Sequence, residues 1–239
     1  MLWVDLRFLS RNWAKTLATT LIAPVLYLLA FGYGLGRGVT IEGYSYLDFV
    51  IPGIVALTAM TTSFNAAGMK LHVDRLFYRC FDETLMSPVS LFSITIGKTL
   101  IGVLRGLIST AALLLACFAF SPLPTVNLLF WLTLVITCFV FSFLGVLVAL
   151  LAKSHQDMSV FMSLVILPMS FLSGTFFSLS QVPEALRIVL SLSPLTHTSL
   201  CIRAAALGQP FPWISLAILV GFGFAFLSGS YFVLKRLSL

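Results

Sequence analysis

The feature that most constrains this chain is a succession of long, almost uncharged apolar runs, such as the one from Val126 to Ala152. A helix needs ~20 apolar residues to cross a ~30 Å hydrocarbon core, and lipid offers no partner to an unpaired backbone group, so only helices or closed barrels span. These runs are continuous and do not alternate in ten-residue segments, which excludes a barrel. Composition agrees: 59% of the 239 residues are hydrophobic and 9% charged, against about 25% charged in soluble domains, too few to cover a water-facing surface. The formal net charge of +6 is not a nucleic-acid stripe, because the basic residues flank apolar runs, where they act as topology signals. The expected fold is all-α, a polytopic integral membrane protein with membrane lipid, and no nucleic acid, as its surroundings.

Along the chain, residues 1–15 predict an interfacial amphipathic helix. Leu2, Leu6, Leu9 and Trp13 share one face, and Arg7, Arg11 and Lys15 recur every four residues on another. Six transmembrane helices are expected, over 16–35, 47–68, 96–120, 126–152, 158–177 and 213–234. The first is too long for a signal peptide and no small-residue cleavage site follows it. Pro24 lies near its middle, and the alternating glycines from Phe31 to Gly38 end it in a short loop. Pro168 falls within the fifth, and Ser121-Pro122-Leu123-Pro124 makes a turn after the third. Residues 69–95 form a polar segment with the densest charge, holding Lys70, His72, Asp74, Arg75, Arg79, Asp82 and Glu83. Residues 178–212, broken by Pro183, Pro194, Pro210 and Pro212, read as a re-entrant or interfacial hairpin of two short helices on the outer side. No internal repeat is visible, which weighs against an inverted-repeat carrier.

Lysine and arginine set the orientation. With the N-terminus inside, the inner segments hold Arg7, Arg11, Lys15, Lys70, Arg75, Arg79, Lys98, Lys153, Lys235 and Arg236, and the outer ones only Arg37, Arg187 and Arg203. Both termini are therefore expected in the cytoplasm.

Few residues suggest chemistry. Gly97-Lys98-Thr99 resembles the end of a phosphate-binding loop, but Phe92 stands where that loop needs glycine, and the triplet opens a membrane span. Lys98 reads instead as a snorkelling interface anchor. His72, His155 and His197 are scattered, no paired acids fall within a span, and Cys80, Cys117, Cys138 and Cys201 lack ligand spacing, so no catalytic or metal site is expected. Arg105 alone lies well inside a span. Such an arginine costs ~2.5–3.5 kcal/mol on insertion scales. It either faces a cavity and meets anionic groups of a substrate, or snorkels toward the cytoplasm. Asp82-Glu83-Thr84-Leu85-Met86-Ser87-Pro88-Val89 reads as a short helix opened by acids at its dipole and closed by Pro88, suited to be gripped by a motor subunit; an ordinary inter-span loop is the alternative.

Over essentially its whole length the chain resembles the type-2 (export) permease family of ABC transporters. Pro24 with Phe31-Gly32 is similar to the family's first span. Tyr46-Leu47, Phe49 and Pro52-Gly53 resemble the start of its second. Asp82, Leu85, Ser87, Pro88 and Val89 resemble its coupling helix. Ser173-Gly174, Phe177, Val182-Pro183, Leu186, Pro194-Leu195-Thr196-His197, Ile202-Arg203 and Gly208 look like its outer hairpin, with Ser178 replacing a common proline.

The resemblance implies a permease subunit in the bacterial cytoplasmic (inner) membrane, paired with a second copy as a homodimer. It also implies two copies of a cytoplasmic ATPase, docked on residues 82–89, that bind ATP and Mg; this chain then needs no cofactor and is no enzyme. The greasy, phenylalanine-rich spans favour an amphipathic, lipid-linked or drug-like cargo. A channel or secondary transporter, or a membrane-embedded lipid-modifying enzyme, are the alternatives.

Overall fold

A computed structural model describes residues 7, 11, 13–35, 38, 40, 41, 43–78, 81, 83, 86, 88–117, 127–178 and 182–237. Its helices, in chain order, are α1 (Trp13–Tyr27), α2 (Tyr46–Leu76), α3 (Leu91–Cys117), α4 (Leu128–Leu151), α5 (His155–Phe161), α6 (Leu167–Leu172), α7 (Glu184–Ser191), α8 (Pro194–Leu207) and α9 (Trp213–Leu237). A small antiparallel ribbon, β1 (Thr40–Ile41) with β2 (Tyr44–Ser45), precedes α2 and pairs Thr40 with Ser45 and Ile41 with Tyr44.

α2 is the axis of the bundle. At ~1.5 Å per residue its 31 residues run roughly 46 Å, beyond the ~30 Å of hydrocarbon. Every side chain from Phe49 to Met60 is buried, because α3, α4 and α8 pack around it. Lipid gives apolar helices little reason to associate, so close backbone approach at small residues must supply the contacts. Glycines provide it: a Cβ added at Gly145 of α4 would sit 2.6 Å from the Phe64 carbonyl oxygen of α2, and one at Gly68 of α2 would sit 2.8 Å from the Gly145 oxygen. Gly102 of α3 likewise faces the Ser63 carbonyl, 2.7 Å from where its Cβ would be. Hydroxyls at this depth turn back on their own helices: Thr58, Thr99, Thr133 and Thr137 donate to carbonyls four residues earlier.

Among the described residues four stretches, in α2, α3, α4 and α9, are long and apolar enough to cross a membrane. The first and fifth expected spans take another form. α1 passes into a π-helical stretch, Leu28–Leu35, and the fifth is divided into α5, a π-helical Met162–Ile166 and α6. Pro168 at the start of α6 has no N–H to give the preceding turn, and wide turns of this kind absorb such a missing bond.

The boundaries of the polar segment 69–95 also change. α2 continues through Met69–Leu76 and α3 already begins at Leu91, where the Ser90 hydroxyl accepts from the Ser93 N–H at 3.3 Å. The added turns of α2 are charged yet helical because their charges have protein partners, described below. The amphipathic helix of 1–15 lies largely outside the described residues, and so does the Ser121–Pro124 turn.

Candidate functional site

The resemblance motifs, far apart in sequence, converge at the end of the bundle where α2 begins. Pro194 starts α8, and Gly208, left-handed at φ 68, ends it. α8 carries Arg203, which is buried and donates from Nε to the Phe49 carbonyl (3.2 Å) and from Nη2 to the Gly174 carbonyl (2.8 Å). Its guanidinium carbon also lies 3.7 Å above the Phe49 ring, a desolvated cation–π contact. Gly174, at φ 69, turns the chain after α6 so that the Thr175 backbone presses on Gly53, 2.7 Å from where a Cβ would be. The Tyr46 hydroxyl donates to the Phe176 carbonyl (3.2 Å), and the Phe176 ring stacks on Phe31 at 4.5 Å between centroids.

The connection from α7 to α8 is fastened to the same loop. Ser173 meets Ser193 (3.1 Å), Ser199 donates to the Ser173 carbonyl (2.9 Å), and Thr196 donates to the Leu190 carbonyl (2.7 Å). His197 donates from Nε2 to the Ser191 carbonyl at 2.8 Å, and Leu195 is fully buried. Phe177 is half-buried, and Pro183, at the start of α7, is exposed. The two short helices expected over 178–212 are therefore present as α7 and α8. Sequence reasoning passed over Phe176, whose signal was only that it belongs to an aromatic pair.

At the other end lies the connection between α2 and α3. Asp82, Thr84, Leu85 and Ser87 lie outside the described residues. Glu83 and Met86 are exposed on helical backbone, Met86 88% so, and Pro88 and Val89 are exposed beside them. Phe81 turns inward at 3% exposure and packs with Leu71, Ile94, Val146, Leu150 and Leu234, which join the ends of α2, α3, α4 and α9.

Around this cluster the charges are paired. Lys98 donates to Asp74 at 2.6 Å with both side chains largely covered, and Lys70 stands 4.0 Å from the same carboxylate. Lys98 is therefore an internal ion-pair partner of α2, not a snorkelling anchor: its stem points at a neighbouring helix that offers an acid. Arg75 donates from Nη1 to the carbonyls of Ala149, Leu150 and Ala152, capping α4 where its dipole is negative. α5 follows with a capping box between Ser154 and Asp157. His72 and His155, scattered in sequence, meet with ring centroids 5.8 Å apart. Among the described residues no three His, Cys, Asp or Glu side chains group to hold a metal.

Arg105 is half-buried on the wall of a cleft of about 1100 Å³ between α1, α2 and α3. The cleft also takes in Lys15, Lys70, Asn65 and a set of threonines.

A bundle of long apolar helices packed through glycines defines an integral membrane protein. The sequence profile of the ABC-2 type transporter matches residues 1–207, and the chain belongs to that family. It is similar to the inner membrane transport permease YadH of Escherichia coli K12, 30% identical over 200 residues that cover 83% of this chain and 78% of that protein. Nodulation protein J of Rhizobium meliloti is 29% identical over 212 residues, 86% of this chain and 81% of that protein. Nodulation protein J of Neorhizobium galegae is 30% identical over 211 residues, 85% and 80% of the two. The chain is a transmembrane transport subunit and not an enzyme, and permeases of this family work with an ATP-binding subunit.

Proposed function

We propose that the chain is the permease subunit of an ATP-driven exporter in a bacterial inner membrane. In this reading it pairs with a second copy and docks two copies of a cytoplasmic ATPase, which bind ATP and Mg, on residues 82–89. Six segments cross the membrane, α1 and the α5–α6 stretch with their π turns joining the four long helices. Both termini lie in the cytoplasm, and α7 and α8 form an outer re-entrant hairpin.

The observation that carries the reading is the α2–α3 connection. It exposes Glu83 and Met86 and roots itself through Phe81 in a cluster that touches four helix ends. A push there reaches α2, α3, α4 and α9 together, the rigid-body switching an ATPase needs to drive. The membrane location follows that of the E. coli relative, an inner membrane transport permease. An amphipathic cargo suits the lipid-like surroundings.

The test is purification with and without the cognate ATPase. The expected result is a stable complex that hydrolyses ATP only when both subunits are present. Nucleotide hydrolysis or uphill transport by this polypeptide alone would overturn the proposal.

A further inference from the structure

The cleft between α1, α2 and α3 is not needed to explain packing or coupling. Along α2 it extends from Thr61 to Val73, roughly 18 Å at ~1.5 Å per residue, and takes in Tyr78 beyond the end of the helix. Among the described residues its charged lining is Lys15, Lys70 and Arg105, with no acid. Asp74, outside the lining, answers part of the Lys70 charge and is itself held at 2.6 Å by Lys98. The remaining polar lining includes Asn65 and Thr62, while the Thr19, Thr20 and Thr61 hydroxyls already donate to carbonyls of their own helices.

Two polar atoms on this wall have no hydrogen-bond partner, Arg105 Nε and Thr62 Oγ1, and Thr62 is 9% exposed. Unpaired polar groups in a membrane domain carry a desolvation penalty that a ligand relieves. A cluster of cations beside an amide and a hydroxyl selects an anion with several acceptor oxygens, and arginine binds phosphate bidentately. The volume exceeds that of a bare ion and lies near the upper range of small-molecule pockets, while Ala66, Met69 and Val73 supply apolar wall for the first part of a chain.

We propose that this cleft receives the phosphate-bearing headgroup of an amphiphile, with Arg105 as its deep anchor and Lys15 and Lys70 at its outer part. The inference rests on the export reading only for the source of that headgroup: a transported cargo or an anionic lipid of the bilayer.

The test uses the full chain in phosphatidylcholine nanodiscs, with a fluorescent long-chain alkyl phosphate and its uncharged alkyl alcohol as probes. The phosphate is expected to bind at least about tenfold tighter than the alcohol. Arg105→Gln should remove about tenfold of that, with Arg105→Lys intermediate, and Asn65→Leu on α2 should weaken binding severalfold. Asn65→Leu and Lys15→Gln keep the test open should Arg105→Gln fail to fold. Equal binding of the two probes, or phosphate binding indifferent to all these changes, overturns the proposal.

The source is then separated in the complex with the ATPase. Stimulation of ATP hydrolysis by the alkyl phosphate marks a cargo site. Displacement of the probe by added phosphatidylglycerol, without stimulation, marks a bilayer-lipid site. Because binding is read without the ATPase, failure to form that complex would sink the export reading and leave the headgroup site standing.

Discussion

Arg203 holds Phe49 twice, through a 3.2 Å hydrogen bond to its carbonyl and by standing 3.7 Å above its ring. The two residues are 154 positions apart, and with Gly174 they tie α2, the loop after α6 and α8 into one unit. Arg203→Met should therefore cost about 3 kcal/mol, from a lost charged hydrogen-bond pair and cation–π contact together. Arg203→Lys should recover less than half, since a point charge cannot serve both carbonyls in a fork. Unfolding in detergent, followed by dye labelling of the buried Cys117, Cys138 and Cys201 thiols, measures it.

Gly145 and Gly97 make a contrasting pair. An added methyl at Gly145 meets the Phe64 carbonyl at 2.6 Å, whereas at Gly97 it meets nothing within 4 Å. Gly145→Ala should destabilise by about 1–3 kcal/mol through overpacking, and Gly97→Ala should stabilise α3 by about 0.5–1 kcal/mol. The same labelling assay compares them; equal effects would contradict the packing.

The Lys98–Asp74 pair is largely covered, at 8% and 15% side-chain exposure. Lys98→Met alone should cost about 3 kcal/mol by leaving a covered carboxylate with only the more distant Lys70. Adding Asp74→Asn should restore much of that loss. A double-mutant cycle that proves additive would show the pair to be energetically idle.

If the α2–α3 connection docks the ATPase as proposed, Asp82→Lys with Glu83→Lys should lower ATP hydrolysis by the assembled complex several-fold and leave the melting temperature of the permease unchanged. Glu83 is exposed. Unaltered hydrolysis in the complex would place docking elsewhere.

Asp157 sets a pH dependence. The backbone N–H groups of Lys153 and Ser154 donate to its carboxylate at 2.9 and 3.0 Å, and the Lys153 bond, followed by the interaction with Ser154, holds its pKa below the usual aspartate value. A depressed carboxylate contributes stability above its unfolded pKa of about 3.9 and loses it as pH falls through the folded value. Wild type should therefore lose its advantage over Asp157→Ala progressively as pH falls below ~4. A gap between the two melting curves that widens on acidification would contradict the cap.

The helical, membrane-bound character was readable from the apolar runs, since each is long enough by itself to demand lipid. Charge misled where it was read as the end of the second span: Lys70, Asp74 and Arg75 prolong α2 because Lys98 and the end of α4 answer them. Proline was informative at 183 and 194, where it opens α7 and α8, and less so at 168, where the backbone answered with a π turn that no local pattern announces.

Local hydrophobic length and punctuation, properties of consecutive residues, were enough to determine solvent, helix class and the order of the family motifs. Which charges neutralise one another, and that Phe31, Phe49, Gly174 and Arg203 share one junction, was decided only in three dimensions. The physical reason is that a hydrogen bond or ion pair depends on distance in space, and partners 24 or 154 residues apart leave no periodic trace along the chain.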